Sequence, residues 1–136
     1  MADFKTLHDK WKKAKKEAKD WYGNYEKLFM DVSLAHEEVK LGAPPFPAFK
    51  KDLGPSLDKI HAKKDVKTYK GKAETAVKQY EQDIKNAVKA VSDKERAEAA
   101  KKAKNGPGII TLALQKLGAL EDVRKEIEKE LKNVKV

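Results

Sequence analysis

One uninterrupted stripe of apolar and aromatic side chains runs through the first third of this chain. Eleven residues follow one another at alternating steps of three and four positions: Phe4, Leu7, Trp11, Ala14, Ala18, Trp21, Tyr25, Leu28, Val32, Ala35 and Val39. Such steps place all of them on the same side of an α-helix. At a rise of about 1.5 Å per residue, that helix would be roughly 50 Å long. A stripe of this length needs other long helices beside it, so the pattern predicts an all-α bundle.

Proline and glycine residues collect in two places and divide the helical pattern into three parts. Four prolines predict a Pro-rich connector over residues 42–55, which is extended at residues 44–47 because the residue before a proline avoids the helical region. The second group is Asn-Gly-Pro-Gly at residues 105–108. The predicted fold class is therefore an all-α, antiparallel bundle of three long helices in up-down-up order, forming a single domain over residues 1–136.

The expected ends of the first and third helices follow from capping residues. The first helix is predicted from about Asp3, which suits an N-cap, to Leu41, with Gly42 as the C-cap. The third helix is predicted to begin with Pro107 in its first turn, where the missing N–H of proline does no harm.

The second helix, predicted to start near Ser56, allows two interpretations at its far end. Ser92 and Glu95 fit a capping box, which favours a break there and would make four helices. The following Ala-, Lys- and Glu-rich stretch has a high helix propensity and favours continuation to Lys104. We expect the continuous helix, with the break as the alternative.

The composition excludes several classes of site. The chain has no cysteine, which removes disulfides, thiolate nucleophiles and cysteine-ligated zinc. No run approaches 18 apolar residues, so no membrane span is expected. The first residues lack the apolar core of a secretory signal, and the expected location is the cytoplasm, with non-classical export left open.

The polar residues show no catalytic pattern. Asp58 and His61 stand three apart, like half of a carboxylate-bridged metal site, but His8 and His36 lack the matching acid three residues earlier. No Ser lies in a nucleophile elbow, and no Gly-rich phosphate loop is present. We therefore expect no catalytic residues, no metal site and no cofactor, and a protein that is not an enzyme.

The aromatic residues of the first helix are expected to be core. Trp11, Trp21 and Tyr25 lie on the apolar stripe, which is the spacing of a buried seam. Tyr22 lies beside the stripe near Lys15 and is the best candidate for an exposed stacking platform.

The net charge of +9 comes almost entirely from lysine, since Arg96 and Arg124 are the only arginines. Lysine supports diffuse attraction to polyanions better than specific recognition. Residues 42–104 carry sixteen basic and nine acidic residues, whereas the segments on either side are nearly neutral. The candidate polyanion-binding residues are Lys50, Lys51, Lys59, Lys63, Lys64, Lys67, Lys70, Lys72, Lys101, Lys102 and Lys104.

Two functions remain open from the sequence. The first is a non-catalytic helical interaction or structural module that binds a protein partner or a second copy of itself. Its candidate partner-helix face lies on the charged second half of the third helix: Leu120, Val123, Ile127, Leu131 and Val134. The alternative is binding of a polyanion such as nucleic acid through the Lys-rich region 50–104.

Overall fold

A computed structural model describes residues 3–36, 42–49 and 53–136 of the chain. Within these residues there are five α-helices and no strand, which confirms the predicted all-α bundle. The helices are α1 (Phe4–Ala35), α2 (Gly54–His61), α3 (Val66–Val91), α4 (Lys94–Ala100) and α5 (Gly106–Lys132). Residues 42–49 have no regular secondary structure, as expected of the Pro-rich connector, but Gly54 and Pro55 already belong to α2.

The first helix begins where the sequence predicts and ends earlier. The Asp3 carboxylate accepts a hydrogen bond from the Lys5 backbone N–H at 2.9 Å, so Asp3 is the N-cap. The helix continues through Gly23 and ends at Ala35, because His36 has an extended backbone. The predicted continuation to Leu41 falls on residues 37–41, which lie outside the described part of the chain.

The predicted second helix is three helices in the structure. The first interruption separates α2 from α3, where Lys63 and Asp65 both have positive φ, 59° and 47°. The residues between Ile60 and Val66 offer no large apolar side chain to bury, so helical packing has nothing to hold this stretch in a continuous rod.

The second interruption lies at Ser92 and Asp93, so the expected continuous helix to Lys104 is wrong. The break predicted as the alternative is present, but its cap is Asp93, whose carboxylate accepts from the Arg96 N–H at 3.0 Å. An aspartate is at least as good an N-cap as serine, and its charge also suits the helix dipole. Pro107 lies in the first turn of α5, as predicted.

Replacement of the cap residue tests this assignment. We expect Asp93→Ala to lower the free energy of unfolding by about 1 kcal/mol, because it removes the hydrogen bond to the Arg96 N–H. Ser92→Ala should change it by less than about 0.5 kcal/mol. Urea denaturation followed by circular dichroism measures both; a larger loss for Ser92→Ala would instead support the capping box.

The three long helices do not follow the predicted up-down-up order, because α1 and α3 run parallel. Trp11 near the start of α1 stacks on Tyr80, with ring centroids 4.8 Å apart. Further along both helices, the Tyr25 hydroxyl donates to the Ala90 carbonyl at 2.8 Å. Helix α5 runs opposite to α1, since Lys10 pairs with Glu126 near its end.

The connector and α2 lead the chain back along α1 to the end of the bundle where α1 begins. The Tyr22 hydroxyl donates to the Pro44 carbonyl at 2.6 Å, and the ring of Phe49 meets Trp11 edge-on at 5.7 Å. The chain therefore descends beside α1, and α3 starts at the same end of the bundle as α1. Both α2 and α5 pack against α1 and α3, so the bundle has four helices side by side, with Trp11 and Tyr80 in contact at its centre.

Candidate polyanion-binding end of the bundle

The fold separates the predicted polyanion-binding lysines into two groups. One group surrounds the turn between α2 and α3, and the other, Lys101, Lys102 and Lys104, lies between α4 and α5. These sites are at opposite ends of α5, about 40 Å apart for its 27 residues. The two groups therefore do not form one surface, while Lys50 and Lys51 lie outside the described residues.

We call Lys59, Lys63, Lys64 and Lys67 the lysine turn. All four side chains are exposed, and none of them has an ion-pair partner among the described residues. The backbone of the turn is ordered by hydrogen bonds from the Lys63 N–H to the Ile60 carbonyl and from the Lys64 N–H to the Lys59 carbonyl, at 3.1 and 3.0 Å. The turn therefore holds four cationic side chains at one tip of the bundle.

Several features in and next to the lysine turn are unfavourable for local stability. Lys63 and the adjoining Asp65 adopt left-handed backbone conformations that disfavour non-glycine residues by roughly 1 kcal/mol each. The first turn of α3 contains no acidic residue and carries Lys67, although a helix N-terminus favours negative charge. The Asp65 side chain makes no capping hydrogen bond. Such local conflicts are expected where a segment serves binding rather than folding.

The strain at this turn can be relieved by glycine. We expect Lys63→Gly to raise the free energy of unfolding by up to about 1 kcal/mol, because glycine accepts positive φ without steric conflict. Lys64→Gly removes the same charge from the same turn at a position without positive φ, and should be neutral or destabilising. Equal effects of the two variants in urea denaturation would show that charge repulsion, rather than backbone strain, dominates.

The end of α5 extends this cationic tip. The Lys70 ammonium donates to the Val134 carbonyl at 2.9 Å, which places the last residues of the chain beside α3. Lys132 and Lys135, both exposed, therefore lie at the same end of the bundle as the lysine turn. Neither stands out in the sequence, because residues 105–136 are nearly neutral and only the fold brings them next to α3. Lys72 lies over the Tyr69 ring, 5.1 Å from its centroid.

Nearby acidic and imidazole groups do not form a recognisable metal centre. His61 lies 3.5 Å from the Asp3 carboxylate, and both side chains are well exposed. Among the described residues there is no group of three or more His, Asp or Glu side chains placed to hold a metal ion. His61 thus contacts the N-cap of α1, and the Asp58–His61 pair gains no further ligand there.

The predicted partner-helix face of α5 is occupied by the chain itself. Leu120, Ile127 and Leu131 are 0% exposed, while Val123 and Val134 are half-buried and pack against the same core. Helices α1 and α3 cover this stripe from two sides. The expectation that these five residues await a second chain is therefore corrected: their narrow stripe suffices because α5 lies between two neighbours.

Arg124 forms an ion cluster that the sequence pattern does not reveal. Its side chain is 1% exposed and donates to Glu81 and Glu128, each at 2.9 Å, and to Glu121. Burial alone would lower the pKa of Arg124, but the hydrogen bonds that it donates to Glu121 and Glu128 outweigh burial and raise the pKa. The hydrogen bond to Arg124 in turn lowers the pKa of Glu128. This cluster joins α3 to α5.

Arg96 also serves the fold. Its Nε donates to the Gly42 carbonyl at 2.9 Å, and one terminal nitrogen lies 3.7 Å from the Asp93 carboxylate. It thereby ties the connector to α4. Since Arg124 is buried, both arginines of the chain are engaged in internal contacts, and the exposed cationic tip consists of lysines.

Tyr22 belongs to the buried core, together with Trp11 and Tyr25. Tyr22 is 0% exposed, and burial together with the nearby charge of Glu26 raises its pKa to about 12. The prediction of an exposed stacking platform at Tyr22 is therefore wrong. Trp21, predicted as core, is instead half-buried. All ten aromatic residues lie in the described part of the chain, and every one is buried or half-buried.

Comparisons with known proteins add no assignment. No protein-family model matches the chain, and no curated protein or solved structure matches it either. The helices in the described ranges include none with the length and apolar character needed to cross a bilayer. What the cationic tip does must therefore be inferred from its own chemistry.

Proposed function

We propose that this protein binds the phosphate backbone of double-stranded nucleic acid through the lysine turn together with Lys132 and Lys135. The supporting observation is the set of exposed lysines at one tip, on a turn whose backbone and helix-end charges oppose local stability. The four lysines of the turn have no ion-pair partner among the described residues, whereas Lys132 lies 4.0 Å from the Glu128 carboxylate. Lysines near a polyanion release its condensed counterions, which drives association at low salt.

Two features favour the binding of a nucleic-acid duplex without sequence preference. Sequence-specific contacts to bases rely heavily on the bidentate fork of arginine, and both arginines are held inside the fold. Binding of single strands relies on exposed aromatic rings that stack on bases, whereas at the lysine turn the Tyr69 ring is half-buried and has the Lys72 ammonium over it. Lysines that contact phosphates fix the position of the protein on the duplex but recognise little of its sequence.

A pair of matched triple variants tests this proposal. Lys63, Lys64 and Lys67 are replaced by Gln in one protein; Lys13, Lys16 and Lys19, exposed on α1, are replaced by Gln in the other. Both lose three positive charges. Binding to two short DNA duplexes of unrelated sequence is followed by fluorescence anisotropy from about 50 to 200 mM salt, where affinity should fall steeply.

We expect the turn variant to reduce the slope of log affinity against log salt by about 2 to 3, while the α1 variant leaves it nearly unchanged. The two duplexes should bind alike. No complex with the unmodified protein at about 50 mM salt would contradict the proposal, since electrostatic binding is strong there. Equal losses in both variants would show that net charge alone, and not this tip, drives binding.

Protein contact remains the second candidate function, on a different observation. Met30 and Leu34 are 65% and 78% exposed and stand four residues apart on α1, so they form one apolar ridge. We propose that this ridge supports self-association at high concentration. Sedimentation from micromolar to millimolar protein should show dimers that Leu34→Ser removes. A monomer throughout that range would exclude this role.

A further inference from the structure

A second binding site is indicated where α1 faces the start of α5. A groove of about 620 Å³ runs between the half-buried Trp21 ring and the first turns of α5, where Pro107, Ile109 and Leu112 line it. Ile109 and Leu112 are themselves half-buried. A volume of this size is within the range of sites for small organic molecules.

The local sequence explains why this groove stays open. Trp21 belongs to the apolar stripe of α1, but opposite it the chain passes through Asn105–Gly108, which has no large side chain to cover the indole. Gly106 itself accepts no side chain, because a Cβ there would lie 1.9 Å from the Ala100 carbonyl oxygen. The Trp21 indole is therefore left partly uncovered.

The charge at this groove identifies the class of ligand. Lys104 lines it, is exposed, and has no ion-pair partner among the described residues. No Asp or Glu is among the lining residues. The polar lining residues other than Lys104, which are Asn24 and Asn105, are uncharged. A largely apolar groove with Lys104 as the one cation among its described lining residues complements a molecule that has a flat apolar body and one negative charge.

We propose that this groove, the Trp21 groove, binds small aromatic carboxylates. The aromatic body of the ligand lies against the Trp21 indole, Ile109 and Leu112, and its carboxylate accepts a hydrogen bond from the Lys104 ammonium. The site is at the other end of α5 from the lysine turn, so it is independent of the proposed nucleic-acid binding.

The two tryptophans make the test direct. The ¹⁵N-labelled protein should show two indole N–H signals, and Trp21→Phe identifies which one belongs to Trp21. On titration with 2-naphthoate, the Trp21 signal should shift and saturate, while that of Trp11, which is 2% exposed, stays in place. The neutral analogue 2-naphthamide should bind about fivefold more weakly or worse, because it lacks the charge that Lys104 recognises.

Two further variants separate the groove from general effects. Lys104→Gln should weaken 2-naphthoate binding about fivefold or more, whereas Lys67→Gln removes an equal charge from the lysine turn and should not. Gly108→Leu places a side chain beside the groove where a Cβ meets no atom within 4 Å, so it should block binding without disturbing the helix. An unmoved Trp21 signal at millimolar 2-naphthoate, equal binding of the amide, or equal losses in the two lysine variants would overturn the proposal.

Discussion

Arg124→Ala is expected to lower the free energy of unfolding by about 3 to 5 kcal/mol, the range found when one partner of a buried ion pair is removed. Arg124 forms ion pairs with Glu81, Glu121 and Glu128 at the α3–α5 contact, and its side chain is almost completely buried. Without it, three carboxylates face one another and the space of its aliphatic stem is empty. Urea denaturation measures the loss.

A comparison with the other arginine sharpens this result. Arg96 has a side chain that is 20% exposed and makes one backbone hydrogen bond and one weaker ion pair, so Arg96→Ala should cost only about 1 to 2 kcal/mol. Arg124→Lys should fall between the two alanine variants, because one ammonium group cannot reproduce the guanidinium fork toward three carboxylates. A loss below about 1 kcal/mol for Arg124→Ala would mean that solvent screens the cluster.

The same cluster predicts how stability depends on pH. The pKa of Glu128 is lowered from its ordinary value of 4.5, chiefly by its hydrogen bond to Arg124. A lowered pKa in the folded state contributes stability that is present above pH 4.5 and is lost as the pH falls through the folded pKa. The unmodified protein should therefore lose stability more steeply below pH 4.5 than Arg124→Met does.

The second large effect is expected at Trp11. Its ring is 2% exposed and stacks on Tyr80 across the centre of the bundle, with Phe49 edge-on. Trp11→Ala should lower the free energy of unfolding by about 3 to 5 kcal/mol, through lost burial and the cavity that remains. Thermal and urea denaturation both report this change.

Trp21 provides the matched comparison, since it is the same residue type on the same stripe. It is half-buried, so Trp21→Ala should cost only about 1 to 2 kcal/mol. Equal costs at the two positions would contradict the packing described for Trp11, and with it the parallel arrangement of α1 and α3 that the Trp11–Tyr80 contact supports.

Local sequence patterns predict the helices far better than they predict the order of the helices in the bundle. The stripe on α1 and the cap at Asp3 are consequences of neighbouring residues, so the sequence predicts them. The return of residues 42–61 beside α1 depends on contacts between distant residues, such as Tyr22 with Pro44 and Phe49 with Trp11. No local spacing encodes those contacts, and without them an up-down-up order is the simpler expectation.

The candidate site shows the same division. The lysines at 59–72 form a cluster already in sequence, whereas Lys132 and Lys135 join it only because α5 ends beside α3. A narrow apolar stripe in a charged helix predicts a partner face on α5. That stripe is buried because two helices share it, a fact that helix periodicity alone does not contain.

The most direct test of the account is a nuclear magnetic resonance titration of the labelled protein with a short DNA duplex at low salt. We predict that the backbone amide signals that shift belong to residues 59–72 and to Lys132 and Lys135, while those of Lys101, Lys102 and Lys104 at the other end of α5 remain in place. Shifts confined to residues 101–104, or none at all, would contradict it.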